Sequence, residues 1–472
     1  MNFKSIFFYL GLLCFPISFL SFINILYSNY FDYFLSLETY ITTLIVSLII
    51  GFIFYFLGKN SNKKMNFNEQ ISLIILTYFT ISLIISIPYY FSNYQISFID
   101  SIFESLSGIT STGFSIFENI KYIDPTLILW RSSSQWIGGF YFLLFLVIIF
   151  SKQEFQFKLN NLTFSDDGGI KTEIHTKTLI LKIFLLYLIT SITIFFILNL
   201  SGVRLFNALN LSMTLVSTGG FLPTNSLSQI ITNQTQQISL AICLLIPLMN
   251  IFIFINFFNK RNLINNHRED YALIFLIALL STILIFTSNQ LDLNEILINV
   301  ISSVGNSGIT ISKTQEDISL YFLILTLIGG SLISTTSGIK FLRLYILIKA
   351  SISEVLKLVR PNNVINQSIM GTEMKINNDN IRAAFLIFIC FFISTFILSG
   401  LLIIDDIGFE TSFKLSILTL TNTVNSNLFD LNLDNFNRLL TSTKISLILF
   451  MIIGKIELIS LLIVIRKIIF KN

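Results

Sequence analysis

Charge is scarce in this 472-residue sequence: Asp, Glu, Lys and Arg together make up 12%, roughly half of what a soluble chain spreads over its surface. Hydrophobic residues make up 53%, and mean hydropathy is +0.78. Water is therefore not the main solvent of this chain. Cysteine is also sparse. Cys14, Cys243 and Cys390 lie apart inside apolar blocks, with no spacing that suits a metal or a disulfide framework. The two histidines, His175 and His267, fall in polar segments. The apolar blocks hold almost no ionisable side chains beyond Arg131, Lys444, Lys455 and Glu457. A membrane enzyme needs titratable groups clustered on one cavity, so the sequence predicts no enzyme and no bound cofactor. Nor does the net charge of +4 point to nucleic acid, because no segment interleaves basic residues with aromatics on a polar face.

Long apolar blocks are what the chain does have. Crossing about 30 Å of hydrocarbon takes about 20 helical residues. Ten blocks approach that length: 5–27, 39–57, 69–90, 126–150, 178–200, 236–258, 271–288, 318–349, 381–404 and 439–470. In lipid an open-edged sheet cannot satisfy its backbone, and these blocks are too long and too uniformly apolar for barrel strands. The predicted fold class is an all-α polytopic membrane protein. The first block is preceded by Lys4 but is too long for a secretion signal and has no small-residue cleavage pattern, so it reads as a retained helix.

Basic residues give the orientation. With the N-terminus inside, the inner segments hold 22 of the 30 lysines and arginines, and the outer segments hold five (Lys121, Arg204, Lys313, Lys414 and Arg438). The positive-inside rule then places both termini in the cytoplasm. Anionic membrane lipids are natural partners for the inner basic residues. The outer segments carry fourteen acidic residues, among them Asp100, Glu104, Asp292, Glu295, Glu410, Asp430 and Asp434. These read either as an acidic mouth that attracts cations or as ordinary exposed polarity.

Four outer segments share a pattern: FIDSIFESLSGITSTGFS (98–115), LFNALNLSMTLVSTGGFLP (205–223), LNEILINVISSVGNSGITIS (293–312) and FETSFKLSILTLTNTVNSNLF (409–429). Each is a short apolar helix-like half followed by small polar residues. Aligned on their glycines, they bring Gly113, Gly219, Gly308 and Asn425 to one position, and such repetition marks an internally repeated assembly. A short helix that enters the membrane part-way and returns as extended chain exposes carbonyls able to replace an ion's hydration shell. Glycine suits such a place because no side chain blocks the passage. The other reading is four ordinary outer loops whose small residues allow close helix packing.

Two more features interrupt the apolar blocks. GGSLISTTSGIK (329–340) sets a polar patch inside a long apolar run, which is costly against lipid unless it lines a cavity; it also reads as a kinked packing helix. Lys455 lies in the last block, with Glu457 on a different helix face, so it meets either an aqueous pathway or, by snorkelling, the inner surface. Arg131 lies between Trp130 and Trp136, read as aromatic anchors at the outer boundary.

Several ordered motifs resemble the TrkH/KtrB/HKT superfamily, in particular the TrkH subunit of the bacterial Trk potassium uptake system: SGITSTGFS at 107–115, WRSSSQWIGG at 130–139, STGGF at 217–221, GGSLISTTSGIK at 329–340 and GKIELISLL at 454–462. The resemblance implies four helix, pore-loop, helix repeats around a central ion pathway, preceded by two extra N-terminal helices. The corresponding divisions are 1–67 for the helix pair, then 68–176, 177–269, 270–377 and 378–472 for the repeats. By resemblance, the selectivity filter maps to Thr110, Ser111, Thr112 and Gly113; to Val216, Ser217, Thr218 and Gly219; to Gly305, Asn306, Ser307 and Gly308; and to Thr423, Val424 and Asn425. Asn425 stands where a family member usually has glycine. The resemblance makes 329–340 an intramembrane gate loop, with Gly329, Gly330, Ser334, Thr335, Thr336, Ser337 and Gly338 in it and Lys455 beside it where arginine is usual. It further implies potassium as the transported ion, a homodimer in the bacterial inner membrane, and a cytoplasmic TrkA-like ring that binds NAD(H) or ATP/ADP. No nucleotide motif is visible in this chain. Competing readings are a less selective potassium and sodium pathway, a secondary transporter of a small solute, and a nonconducting scaffold.

Overall fold

A computed structural model describes residues 3–33, 37–61, 65–150, 176–258, 267–287, 292–312, 316–359, 376–431 and 435–456. All regular structure among them is helical. An antiparallel pair, α1 (Phe3–Tyr30) and α2 (Leu37–Gly58), comes first. Its packing depends on glycine: a Cβ on Gly11 would lie 2.6 Å from the Tyr55 nitrogen, and one on Gly58 would lie 2.3 Å from that of Phe8.

Four repeats follow. The first is α3 (Phe67–Tyr90), the 12-residue α4 (Phe98–Ile109) and α5 (Pro125–Phe150). The second is α6 (Thr176–Leu200), α7 (Leu205–Val216), and a divided last helix, α8 (Gln234–Leu245) and α9 (Ile253–Phe258). The third is α10 (Arg268–Thr287), α11 (Leu293–Val304), and again a divided helix, α12 (Glu316–Leu325) and α13 (Phe341–Val359). The fourth is α14 (Asn378–Ile404), α15 (Phe409–Leu420) and α16 (Thr441–Lys455). Helix starts follow ordinary capping chemistry: the Glu69 carboxylate accepts from the Asn66 amide at 2.9 Å, and Ser97 Oγ accepts from the Asp100 amide at 3.2 Å.

Six described helices are long and apolar enough to span a membrane: α1, α2, α3, α6, α10 and α14. The other expected spans differ for identifiable reasons. In α5 the first half is polar, through Arg131, three serines and Gln135. The block 236–258 is broken at a single 3₁₀ turn, Ile246–Leu248, because Pro247 has no N–H to give. The block 318–349 is broken between Leu325 and Phe341, where Gly329, Gly338 and Lys340 take positive φ (68°, 76° and 76°). The two breaks meet: the Ser331 amide donates to the Leu248 carbonyl at 2.9 Å, and the Ile251 amide to that of Ile333 at 3.1 Å. Backbone groups freed in one helix thus find partners in the other. The last block is helical to Lys455 and capped by Ile456; from Glu457 on, with the basic tail, it lies outside the described residues, as do 151–175 with His175.

Gly138 and Gly454 play the same part in repeats 1 and 4. A Cβ on Gly138 would lie 2.0 Å from the Ile109 carbonyl oxygen, and one on Gly454 would lie 2.3 Å from that of Leu420. Each glycine lets a long helix press against the last residue of the short helix before it. Gly138→Ala is expected to lower the unfolding temperature of the detergent-purified protein. Gly400→Ala, where a Cβ meets nothing within 4 Å, is expected to leave it unchanged or raise it, since alanine is better than glycine in a helix by about 1 kcal/mol. Equal behaviour of the two variants would show that the Gly138 contact is not tight.

Candidate ion pathway and gate

The short helices α4, α7, α11 and α15 end in one way. Their C-caps are Thr110, Ser217, Gly305 and Thr421, and the next residues, Ser111, Thr218, Asn306 and Asn422, have φ of 59°, 52°, 58° and 50°. The amides after these, of Thr112, Gly219, Ser307 and Thr423, donate back to the carbonyls of Ser107, Thr214, Ser302 and Leu418 at 2.9, 2.8, 3.1 and 2.9 Å. This is Schellman closure four times over: a left-handed residue turns the chain, and the amide beyond it reaches back into the helix. The carbonyls at these C-terminal ends carry the negative pole of each helix dipole, which favours a cation.

These bonds fix the register between repeats. Gly113, Gly220, Gly308 and Val424 are equivalent, each the third residue past its C-cap. Alignment on glycine alone chose Gly219 and Asn425, one residue early in repeat 2 and one late in repeat 4. Val216 is the last residue of α7 rather than part of the extended stretch. Asn425 lies one residue beyond the glycine row and is half-buried.

The left-handed asparagines tie neighbouring repeats together. Asn306 Nδ2 donates to the Thr326 carbonyl at 2.6 Å and toward Thr423 Oγ1 at 3.4 Å. Asn422 Nδ2 donates to Thr112 Oγ1 and to the Met451 carbonyl, both at 3.0 Å. Repeats 1 and 3 share a further brace. Glu104 accepts from the Ile116 amide at 2.9 Å and Ser115 Oγ at 3.1 Å; at the equivalent place Asn299 Oδ1 accepts from Thr310 Oγ1 at 2.9 Å. Glu104 also pairs with Arg131 Nε at 2.8 Å, and the guanidinium lies 4.1 Å from the ring centre of Phe221, the residue after Gly220. An acidic mouth therefore gets nothing from Glu104 or from Asp100, whose carboxylate binds the Lys444 ammonium at 2.5 Å. Trp130 and Trp136 are not surface anchors either: their indole N–H groups donate to the Ile85 carbonyl at 3.1 Å and to Ser191 Oγ at 2.9 Å.

The polar stretch 329–340 folds as an irregular loop on the gap in repeat 2. Inside it, the Gly330 amide donates to Thr336 Oγ1 at 2.8 Å, and Ser334 Oγ lies 2.7 Å from the same oxygen. Lys340 Nζ reaches the Ser334 carbonyl at 3.2 Å, Ser334 Oγ at 3.1 Å and Thr336 Oγ1 at 3.2 Å, and also donates to the Thr336 carbonyl. From outside, Glu269 accepts from the Leu332 amide at 2.8 Å, and Asp270 accepts from Ser331 Oγ and, at 2.9 Å, from the Asn250 amide. His267 Nδ1 lies 3.0 Å from the other Asp270 oxygen, and its Nε2 lies 2.8 Å from Asn256 Nδ2. Loop and left-handed turn are linked directly: Thr218 Oγ1 lies 3.3 Å from the Thr335 carbonyl.

Lys455 is 1% exposed, so its ammonium does not snorkel to a surface of this chain. It donates to Ser337 Oγ at 3.3 Å and lies 4.4 Å from the ring centre of Phe142, on which Lys340 also rests at 5.4 Å. The sequence reading had Lys340 only as the end of the run 329–340, without a role, and missed Phe142, Glu269, Asp270 and Asn422. An acidic pair opening an apolar span was a visible signal for Glu269 and Asp270, but it reads equally as helix-dipole capping.

Fold and site together define a polytopic all-α membrane protein of four pore-loop repeats. A family profile described as "TrkH: Cation transport protein" matches residues 36–303 and 296–471. The chain belongs to the TrkH family. It is 27% identical over 372 residues to an uncharacterised cation transporter of Methanocaldococcus jannaschii, covering 76% of this chain and 75% of that one. It is 23% identical over 441 residues to the Trk system potassium uptake protein TrkH of Salmonella typhimurium, covering 89% and 90%. The crystal structure of the potassium transporter TrkH from Vibrio parahaemolyticus superposes with a TM-score of 0.86 over 98% of both chains at 22% identity.

Removing one partner of a buried ion pair typically costs about 3–5 kcal/mol because it strands the other charge. Glu104→Ala and Arg131→Ala are therefore each expected to lower thermal stability sharply, and the double variant by clearly less than the two together. Additive losses would show that the pair is not a unit.

Proposed function

We propose that this chain carries potassium ions across the bacterial cytoplasmic membrane, through a pathway between the four extended stretches and past the loop 329–340, which acts as the gate. The observation that carries the reading is the fourfold Schellman closure: four short helices end in the same left-handed turn, each followed by a stretch with small side chains. Carbonyls held this way replace hydration water around a monovalent cation without a fixed negative charge to trap it. Family membership and the potassium-uptake relatives favour potassium as the cargo.

The filter residues are Thr110 to Gly113, Ser217 to Gly220, Gly305 to Gly308 and Thr421 to Val424, with Asn425 just beyond. Both termini are cytoplasmic, by the distribution of basic residues. The working assembly is a homodimer bound to a cytoplasmic TrkA-like ring, and nucleotide control through NAD(H) or ATP/ADP resides in that ring. A monovalent-cation pathway that also admits sodium is the second reading, favoured by the non-glycine residue in repeat 4.

The decisive experiment is potassium uptake by a bacterium lacking its own potassium transporters, expressing this chain with and without the ring. Rescue at limiting potassium is expected; absence of potassium flux from vesicles containing every partner would overturn the proposal. Gly113→Asp is expected to abolish flux. A Cβ there would lie 2.8 Å from Gly220 Cα, and at φ 83° any side chain is strained. Lys455→Ala is expected to raise flux or weaken gating, because it removes a buried positive charge beside the gate loop. Wild-type flux at every potassium concentration, at matched abundance, would assign Lys455 a packing role.

A further inference from the structure

We infer that the side chain of Val424 is an apolar plug in the centre of the filter, and that its size sets the transport rate. The inference rests on the cation pathway proposed above.

The register puts Val424 in the row of Gly113, Gly220 and Gly308. Around the ring, α5 of repeat 1 packs on α7 of repeat 2, α8 of repeat 2 on α11 of repeat 3, α12 of repeat 3 on α15 of repeat 4, and α16 of repeat 4 on α4 of repeat 1. The cyclic order is thus one to four, and repeats 2 and 4 face each other across the middle. Yet a Cβ built on Gly220 would lie 2.2 Å from Val424 Cβ and 2.7 Å from both of its γ carbons. A Cβ on Gly113 would lie 3.0 Å from Val424 Cβ. Two side chains from adjacent repeats can touch behind a pathway, but a side chain from repeat 4 reaches repeat 2 only through the space between them. Val424 occupies that space.

The backbone explains how valine is tolerated. Gly113 and Gly308 have φ of 83° and 64°, where a β-branched residue is strongly disfavoured, whereas neither Gly220 nor Val424 lies in the left-handed region. Repeat 4 therefore accepts valine without distorting the carbonyls, and the effect of the residue comes from its side chain. Thr421, Asn422 and Thr423 are buried while Val424 is half-buried, as expected where the chain turns to open space.

An isopropyl group offers an ion no oxygen. A potassium ion entering this layer finds carbonyls at its flanks and hydrocarbon on its line of travel, so it advances only when the side chain leaves the line. Valine has few χ1 alternatives, and apolar constrictions block ions by excluding the water that accompanies them. The rate should then fall as the residue grows.

The test is rubidium tracer flux into vesicles holding the full chain and its regulatory partner, with Leu, Val, Ala or Gly at position 424 and monodispersity checked for each. V424A and V424G are expected to exceed wild type, V424G by about tenfold or more, and V424L to fall below it. V424A covers the case in which V424G folds poorly. Measurable wild-type flux, with V424A and V424G at or below it at matched abundance, overturns the plug and leaves the cation pathway standing. No flux from any of the four overturns the pathway itself and the plug with it.

Discussion

A peptide chain that stops being helical inside an apolar medium strands N–H and C=O groups, each costly to leave without a partner. That constraint governs this molecule. At four places a 12-residue helix ends within the protein, and each end is closed by the same pair of reach-back hydrogen bonds. The closure consumes the amides beyond the turn while the stretch after it keeps carbonyls available. It also demands a left-handed residue, which costs a non-glycine residue roughly 1 kcal/mol or more. Ser111, Thr218, Asn306 and Asn422 meet the demand without glycine. Two of them offset the cost by side-chain bonds, Asn306 to Thr326 and Asn422 to Met451 within their own repeats, and Asn306 toward Thr423 and Asn422 to Thr112 across to the next. What a glycine would do for one turn, these asparagines do for the turn and for the assembly of the ring.

The same constraint shapes the loop below. Breaking two long helices exposes a second set of backbone groups, and the breaks are placed where each completes the other. Glu269 and Asp270 clasp the loop from α10, and Lys340 fills it from within. These bonds hold the segment to α10 from outside and to Lys340 from within. Thr218 makes the left-handed turn after α7 and also reaches the Thr335 carbonyl, so the loop is joined directly to the turn of repeat 2.

Much of the fold was legible because apolar length and small-residue tracts are local signals. The all-α class and the position of the short helices follow from them. The register between the four helix-end turns was not legible, for a specific reason: the left-handed turn is made by Ser, Thr and Asn, so aligning on glycine locked onto the wrong member of the pair Gly219 and Gly220, and onto Asn425 in place of Val424. Only the bonding of the amides of Thr112, Gly219, Ser307 and Thr423 shows which residues correspond. The clasp on the loop was hidden for another reason. Glu269 and Leu332 are 63 residues apart, and a carboxylate at a helix start looks complete without a distant partner. Arg131 stood out as a charge in an apolar block, but its partner Glu104 looked like one of several residues facing solvent.

Fourfold repetition is the visible pattern, yet the chemistry alternates in twos. Repeats 1 and 3 have a left-handed glycine, Gly113 and Gly308, and a polar brace from the short helix, Glu104 to Ser115 and Asn299 to Thr310. Repeats 2 and 4 have leucine at the brace position, Leu211 and Leu415, and no left-handed residue in the glycine row. The first pair is thus a fixed frame, in which substitution costs backbone strain. In the second pair a substitution is felt chiefly through side-chain space. The departure of this chain from a glycine ring falls on repeat 4, where the backbone permits it, and the loop 329–340 docks on the broken helix of repeat 2, directly across. The positions that accept a side chain therefore lie along one diagonal of the ring, and those that fix the backbone along the other.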